Sequence, residues 1–328
     1  MLYRLLRPAR PDRFFAKNPK GYADSDPASR KRIGKQMKRA WLLFGVPCWD
    51  FWICRCDRMD WRQWRDIVPY RRQEDLWQKV NDPAAKALLN DKWEAYLHFR
   101  PFYRREMVFV PGDAADLSEF RAFIGRHPRF VVKPCASNKG TGVHLFDAAT
   151  QADPAGYLTA QHPEGFVAEE LIVQDPVMAQ LHPASVNTLR IQTYYGPDGV
   201  KVLWPCLRMG QGGNFVDNTH AGGVFGAIDV ATGLVFAACD ESRHVYETHP
   251  DTGLPIVGFQ MPRWEEACAM ARELARLIPQ CRVVAWDLAL TADGWVMVEG
   301  NRLPLVIWQI ASGRGIWPEF EPIEKENA

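Results

Sequence analysis

From residue 107 onward, short apolar runs alternate with polar turns, the pattern expected of strands. Runs at 107–110, 130–133, 143–146, 166–171, 188–195, 200–208, 223–229 and 234–239 read as strands. Wider apolar spacing predicts helices at 117–125, 157–161 and 264–278. Before residue 107 the helical spacing dominates. Residues 28–44 read as a basic helix turning apolar, from Ala28-Ser29-Arg30-Lys31-Arg32-Ile33 to Ala40-Trp41-Leu42-Leu43-Phe44. Segments 60–66, 73–80 and 83–99 also carry helical spacing, and Asp82-Pro83 supplies a cap with proline at the first helical position. The pattern predicts an α+β chain in three parts: a mainly helical region over 1–105, a small α+β lobe over 106–172 and a larger one over 173–328.

The last predicted element is a hairpin, Trp286-Asp287-Leu288-Ala289-Leu290 and Trp295-Val296-Met297-Val298-Glu299-Gly300-Asn301, joined through Asp293-Gly294. Asp-Gly between apolar runs is a strong hairpin signal. A three-residue loop, Ala292-Asp293-Gly294 with Gly294 left-handed, sets Asp287 opposite Glu299 and puts Asn301 on their face. Opposed carboxylates repel by up to ~1 kcal/mol, and a cation reverses that sign. Two acids and an amide, all oxygen donors, suit Mg²⁺. The same pattern also fits a hairpin with one wet face and Leu288, Leu290 and Val298 buried.

Composition narrows the classes. With 328 residues, 47% of them hydrophobic, the chain can bury one large core or two modest ones. No run approaches ~18 apolar residues, which excludes a membrane-spanning helix on sequence grounds. The start of the chain lacks a secretory pattern, and eight cysteines without a C-x-x-C pair suit a reducing cytoplasm. Net charge is +1, but residues 1–110 hold 24 Lys and Arg against 13 Asp and Glu, and the remainder 16 against 26. The first third also carries seven of the 13 tryptophans. A basic, Trp-rich segment fits a membrane surface or anionic polymer, or docking on the chain's own acidic remainder. Nucleic-acid motifs are absent, so no nucleic-acid partner is expected.

Lys133 ends a strand and leads into Ser137-Asn138-Lys139-Gly140-Thr141-Gly142, a small polar loop whose backbone N–H groups suit phosphate oxygens. Such a loop is also an ordinary turn, and neither a Walker A nor a Rossmann glycine motif is present. Glu169-Glu170-Leu171-Ile172 suits a hinge whose backbone reads an adenine edge and whose carboxylate holds a ribose; an edge strand turning into solvent fits equally. Asn187 and Arg190 begin a strand, and Arg208 precedes a Gly-rich loop containing Asn218. The arginines are candidates for charge on a transferring phosphoryl group, or for surface ion pairs. His249, before Pro250-Asp251, reads as a surface turn histidine.

The order Lys92, Lys133, glycine loop, acidic hinge, arginines, then Asp287 with Glu299-Gly300-Asn301 resembles the ATP-grasp superfamily over about 88–311. Asp287/Glu299/Asn301 spacing is similar to that of its carboxylate–amine ligases, and Leu207-Arg208 with Asn214-Phe215, Asn218 and Gly222-Gly223 resembles the glutamate-ligase-like branch. Val186-Asn187-Thr188-Leu189-Arg190, Val216-Asp217-Asn218, Tyr246 through Gly253 and Val298-Glu299-Gly300-Asn301 resemble the sugar-transfer-associated branch most closely. The resemblance implies two α+β lobes sandwiching ATP. It implies nucleotide contacts from Lys92, Lys133, the 137–142 loop and 169–172, and Mg²⁺ on Asp287, Glu299 and Asn301. It further implies Arg190, Arg208, Asn187 and Asn218 around the reacting groups. The expected activity is amide formation between a small-molecule carboxylate and an amine through an acyl phosphate, in a surface-polysaccharide or sugar-conjugate setting. A phosphotransferase acting on a sugar or lipid hydroxyl, and a non-catalytic binder of anionic polymer or membrane, are the alternatives. A cytoplasmic protein with peripheral membrane association through its basic third is expected.

Overall fold

The protein is described by a computed structural model covering residues 9–18, 26–135, 142–213 and 222–328. It opens with α1 (Pro11–Lys17), α2 (Pro27–Phe44), α3 (Cys48–Ile53), α4 (Tyr70–Val80), α5 (Pro83–Asn90) and α6 (Lys92–Tyr103). Asp26 caps α2 through the Ala28 and Ser29 amides at 2.8 and 2.9 Å, and Gly45 ends it in the left-handed conformation. The helix expected over 83–99 is two helices. Asp91 leaves helical geometry, and its carboxylate takes the Trp93 and Glu94 amides at 2.9 and 3.1 Å. The segment expected at 60–66 holds a single 3-10 turn, Gln63–Asp66.

A small antiparallel sheet follows. It contains β1 (Met107–Val110), β2 (Arg129–Pro134), β3 (His144–Asp147) and β4 (Phe166–Glu170), in the order β1-β4-β2-β3. Helices α7 (Ser118–Arg126) and α8 (Pro154–Gln161) lie against it around Phe120, Phe123, Phe130 and Phe166. The short α9 (Pro176–Ala179) leads to the larger sheet, built from β5 (Thr188–Gly196), β6 (Gly199–Met209), β7 (Val224–Ile228), β8 (Val235–Cys239), β9 (Val283–Thr291) and β10 (Gly294–Asn301). Its order is β10-β9-β5-β6-β7-β8, antiparallel throughout. Between β8 and β9 runs α10 (Trp264–Leu277), and α11 (Ile307–Ser312) and α12 (Trp317–Glu326) close the chain.

Both faces of the large sheet are covered, which explains its almost continuous apolar strands. α10, α5 and α6 bury Leu189, Ile191, Leu207, Trp286 and Leu288 on one face. On the other face, α2, α3 and α11 pack against Cys206, Phe225, Ala227 and Cys239. Beside them, α4 and α12 cover Tyr194, Trp204 and Val283. The described N-terminal helices therefore share their core with the C-terminal helices and the sheet.

One buried acid lies in that shared layer. Asp50 is 8% exposed and accepts the Tyr70 N–H at 2.7 Å. Burial pushes its carboxyl from 3.8 up to about 6. A raised folded-state value means that the folded protein binds the proton more tightly. Stability then falls as pH rises through this window and levels off above it. Asp50→Asn keeps the acceptor and removes the titration. The substitution is expected to stabilise by about 1–3 kcal/mol near pH 7 and to change little near pH 4, read by chemical denaturation at both values.

Candidate active site

Strand alternation gathers the polar groups. Leu189, Leu207, Trp286 and Leu288 point to the α10 side, so Arg190, Arg208 and Asp287 share the opposite face. Arg190 is the cross-strand partner of Asp287. It binds Asp287 with both arms of its fork, Nε to Oδ1 at 2.7 Å and a terminal nitrogen to Oδ2 at 2.6 Å. Arg208 adds a third bond to Oδ2 at 2.7 Å. Asp287 is 1% exposed. Burial alone would push its carboxyl up, but Arg190 and Arg208 outweigh it and hold the group down at about 2.

Glu299 lies opposite Asp287, reached by a different route from the one expected. The turn has two residues, with Gly294 paired to Thr291 at φ +116°, so a regular ladder would bring Val298 opposite Asp287. A bulge between Met297 and Glu299 inserts one residue and restores the pairing. Asn301 sits between the two acids, its amide nitrogen 3.3 Å from each carboxylate. Gly300 is required where it stands. A Cβ there would come within 2.9 Å of the Trp286 ring and 3.0 Å of Leu89. Glu299 remains accessible to solvent, yet the protein atoms crowding it desolvate the carboxylate, and Asp287 repels it. Both effects push its carboxyl up.

One lysine comes from the small sheet and one from α6. Lys133, at the end of β2, pairs with Glu169 of β4, and Glu169 is 2% exposed. Arg105 grips the same carboxylate and also donates to the Met297 carbonyl at 2.6 Å. One arginine thus ties the small sheet to the hairpin beside its bulge. Lys92, the first residue of α6, donates to the Pro134 carbonyl at 3.2 Å. Burial lowers its ammonium, Lys133 lowers it further, and Glu299 acts in the other direction. A cation at a helix N-terminus opposes the macrodipole, so the position favours an incoming anion.

Other expected site residues fall differently. The two hinge carboxylates are engaged to different degrees. Glu169 is locked between Arg105 and Lys133, and Glu170 accepts the Glu106 N–H at 2.9 Å. Leu171 and Ile172 lie just past the end of β4, half-buried. Asn187 keeps its side-chain oxygen buried without a partner among the described residues. It is fully buried, and its amide nitrogen donates to the Met178 and His182 carbonyls at 2.9 and 3.2 Å, stitching the loop before β5. His249 is likewise buried rather than at the surface. Its Nε2 lies 2.9 Å from the Gly210 carbonyl and its Nδ1 accepts the Asp251 N–H, which leaves neither nitrogen for proton transfer. Gly142 is left-handed, as a tight turn requires. Ser137, Asn138, Lys139, Gly140, Thr141 and Asn218 lie outside the described residues. Arg105 had no signal in the sequence, because its partners lie 64 and 192 positions away.

Among the described residues no group of three His, Cys, Asp or Glu is placed to hold a metal; two carboxylates and an amide form this set instead. The carboxylate oxygens suit Mg²⁺, which would relieve the repulsion felt by Glu299, and Asn301 would join them by turning its amide oxygen toward the acids. Asp287 would share such an ion with its arginines.

Two α+β layers facing across paired acids and converging lysines define an ATP-grasp fold. The family model for sugar-transfer associated ATP-grasp proteins matches residues 71–325, and the chain belongs to that family. Among solved structures, D-alanyl-alanine synthetase A from Vibrio cholerae is similar at 12% identity and TM-score 0.45, over 74% of this chain and 62% of that one. D-alanine–D-alanine ligase from Bacillus anthracis is similar at 13% identity and TM-score 0.47, over 80% and 75%. VanG D-Ala:D-Ser ligase from Enterococcus faecalis is similar at 15% identity and TM-score 0.47, over 76% and 64%. The chain spans less than two thirds of the first of these proteins. No curated protein matches it in sequence.

The two acids should respond differently to neutralisation in the unliganded protein. Asp287→Asn strips two buried guanidinium groups of their counter-charge, at an expected cost of about 3–5 kcal/mol. Glu299→Gln removes a repelled, solvent-accessible carboxylate and is expected to leave stability unchanged or raise it by up to about 1 kcal/mol. Denaturant titrations of the two variants read the difference.

Proposed function

We propose that the protein is an ATP- and Mg²⁺-dependent carboxylate–amine ligase working through an acyl phosphate. The observation that carries this reading is Asp287, gripped by Arg190 and Arg208 and set opposite Glu299, with Lys133 and Lys92 held at the end of β2 by Glu169 and the Pro134 carbonyl. ATP would lie between the sheets with its adenine edge against the backbone of 170–172. Lys92 and Lys133 would bind its phosphates, Glu169 orienting Lys133, while residues 137–142 close over them. Asp287, Glu299 and Asn301 would hold the metal, which when bound neutralises phosphate charge.

A carboxylate oxygen of the substrate attacks the γ-phosphorus, the bond to the β–γ bridging oxygen breaks, and ADP leaves. The amine nitrogen then attacks the acyl carbon, the carbon–oxygen bond to phosphate breaks, and the nitrogen loses a proton. The products are an amide, ADP and phosphate. No protein nucleophile takes part; positioning and charge compensation supply the rate. Arg190 and Arg208, on the strand face shared with Asp287, would offset charge growing on the transferring phosphoryl group. Asn218 would help orient substrate. The family's sugar-transfer association favours a sugar-linked carboxylate or amine in surface-polysaccharide or sugar-conjugate modification.

Incubation with Mg-ATP and pools of amino acids and amino sugars tests the reaction. Phosphate release that needs both a carboxylate and an amine, with a new amide mass, is expected. A phosphorylated hydroxyl would assign a phosphotransferase, and no turnover in any mixture would remove the enzymatic reading. Glu299→Gln is expected to abolish turnover with the fold intact. Mg-ATP at about 100 times its dissociation constant should add about 2.7 kcal/mol to stability. Lys133→Ala should remove most of that gain, and an undiminished gain would take Lys133 out of the phosphate site.

A further inference from the structure

The first third of the chain carries an excess of positive charge, and the structure shows which way one block of it faces. α2 contains no acidic residue. Its Ile33, Gly34, Met37 and Ala40 are buried, Ile33, Met37 and Ala40 in the core shared with β6, β7, β8 and α11. At 100° per residue, Lys31, Arg32, Lys35, Lys38 and Arg39 fall within an arc of about 120° on the opposite side. All five are exposed, and none forms an ion pair with a described residue. The helix therefore docks on the rest of the chain through apolar contacts and leaves these five cations outward. Acids among the described residues do not account for them.

An apolar group sits at the C-terminal end of this face. Trp61, 37% exposed, stacks on Phe44 at 6.5 Å. The Arg39 and Arg62 guanidinium groups lie over its ring at 4.7 and 5.0 Å. Leu43 is 42% exposed, and Trp49 on the following helix is half exposed. Cations beside exposed tryptophan and leucine match the boundary of a phospholipid layer, where charge meets headgroups and aromatic rings sit at their level. A purely anionic polymer gives no use to the exposed leucine.

We propose that this face of α2, with Trp61 and Leu43, docks the protein peripherally on an anionic phospholipid surface. No helix among the described residues is long and apolar enough to cross a membrane, so contact of this kind is reversible and salt-sensitive. The inference stands apart from the ligase reading, since none of these residues belongs to the candidate active site.

Co-sedimentation of the full chain with phosphatidylcholine vesicles, with and without phosphatidylglycerol, tests the proposal. Binding only to the anionic vesicles, weakened by added salt, is expected. Combining Lys31→Glu, Lys35→Glu and Lys38→Glu should lower the partition coefficient by about tenfold or more, with the melting temperature unchanged. Trp61→Ser should lower it while keeping the salt dependence. Should the triple variant prove unstable, Lys31→Gln, Lys35→Gln and Lys38→Gln together give the same reading at lower charge contrast. Equal binding to neutral vesicles, no vesicle binding, or undiminished binding by the triple variants overturns the proposal. Capture on heparin or DNA without vesicle binding also overturns it, assigning the face to a polymer.

Discussion

A carboxylate with 1% exposure in the middle of a packed sheet survives as an ion only because two arginines on neighbouring strands meet it. Asp287 is that carboxylate, and the site is arranged around its needs. Arg190 must lie directly across the ladder and Arg208 one strand further, both on the face away from α10. This requirement fixes the register of three strands. A slip by one residue would send Asp287 into the Trp286 and Leu288 side and strand both guanidinium groups. Asp287 enters this arrangement already neutralised. Glu299, across the bulge, feels the like charge without comparable relief.

A second carboxylate does the corresponding work between the two sheets. Glu169 is buried in the small sheet and held by Lys133 and Arg105, and Arg105 continues to the Met297 carbonyl of the hairpin. The lysine placed for phosphate and the bulge that positions Glu299 therefore belong to one connected set of charge-assisted bonds. A shift of the small sheet relative to the large one has to stretch or break this link. Relative motion of the two layers and the geometry of the acid pair are thus mechanically coupled.

Local pattern revealed the strands, the capped helices and the hairpin, because each of these signals lies within a few residues. The Asp287–Glu299 pairing was legible through Asp293-Gly294, although a two-residue turn and a bulge produce the register that a three-residue loop also yields. Asn187 and His249 were misplaced because burial depends on what packs over a residue. Asn187 looked like a strand-start polar group and is a loop anchor; His249 looked like a turn residue and lies beneath the Gly210 carbonyl. Arg105 and the engagement of Glu169 and Glu170 could not be read, since their partners come from distant segments. The split of 83–99 into two helices was written in Asp91, a capping residue.

Charge shows the same division between what is local and what is folded. The excess of cations in the first third was plain from composition, but their destination was not. Some are spent within the protein: Arg72 pairs with Glu324 and lies 4.4 Å from the Trp317 ring, joining α4 to α12. An acid of the same third, Asp57, takes its partner from outside it, Arg243. Five of the six on α2 follow the helix period instead, and that period already commits the inner face to apolar packing. A helix whose buried stripe is satisfied by Ile33, Met37 and Ala40 cannot rotate its lysines inward without exposing that stripe. The hydrophobic contact that folds the N-terminal region is the same contact that directs its charge outward.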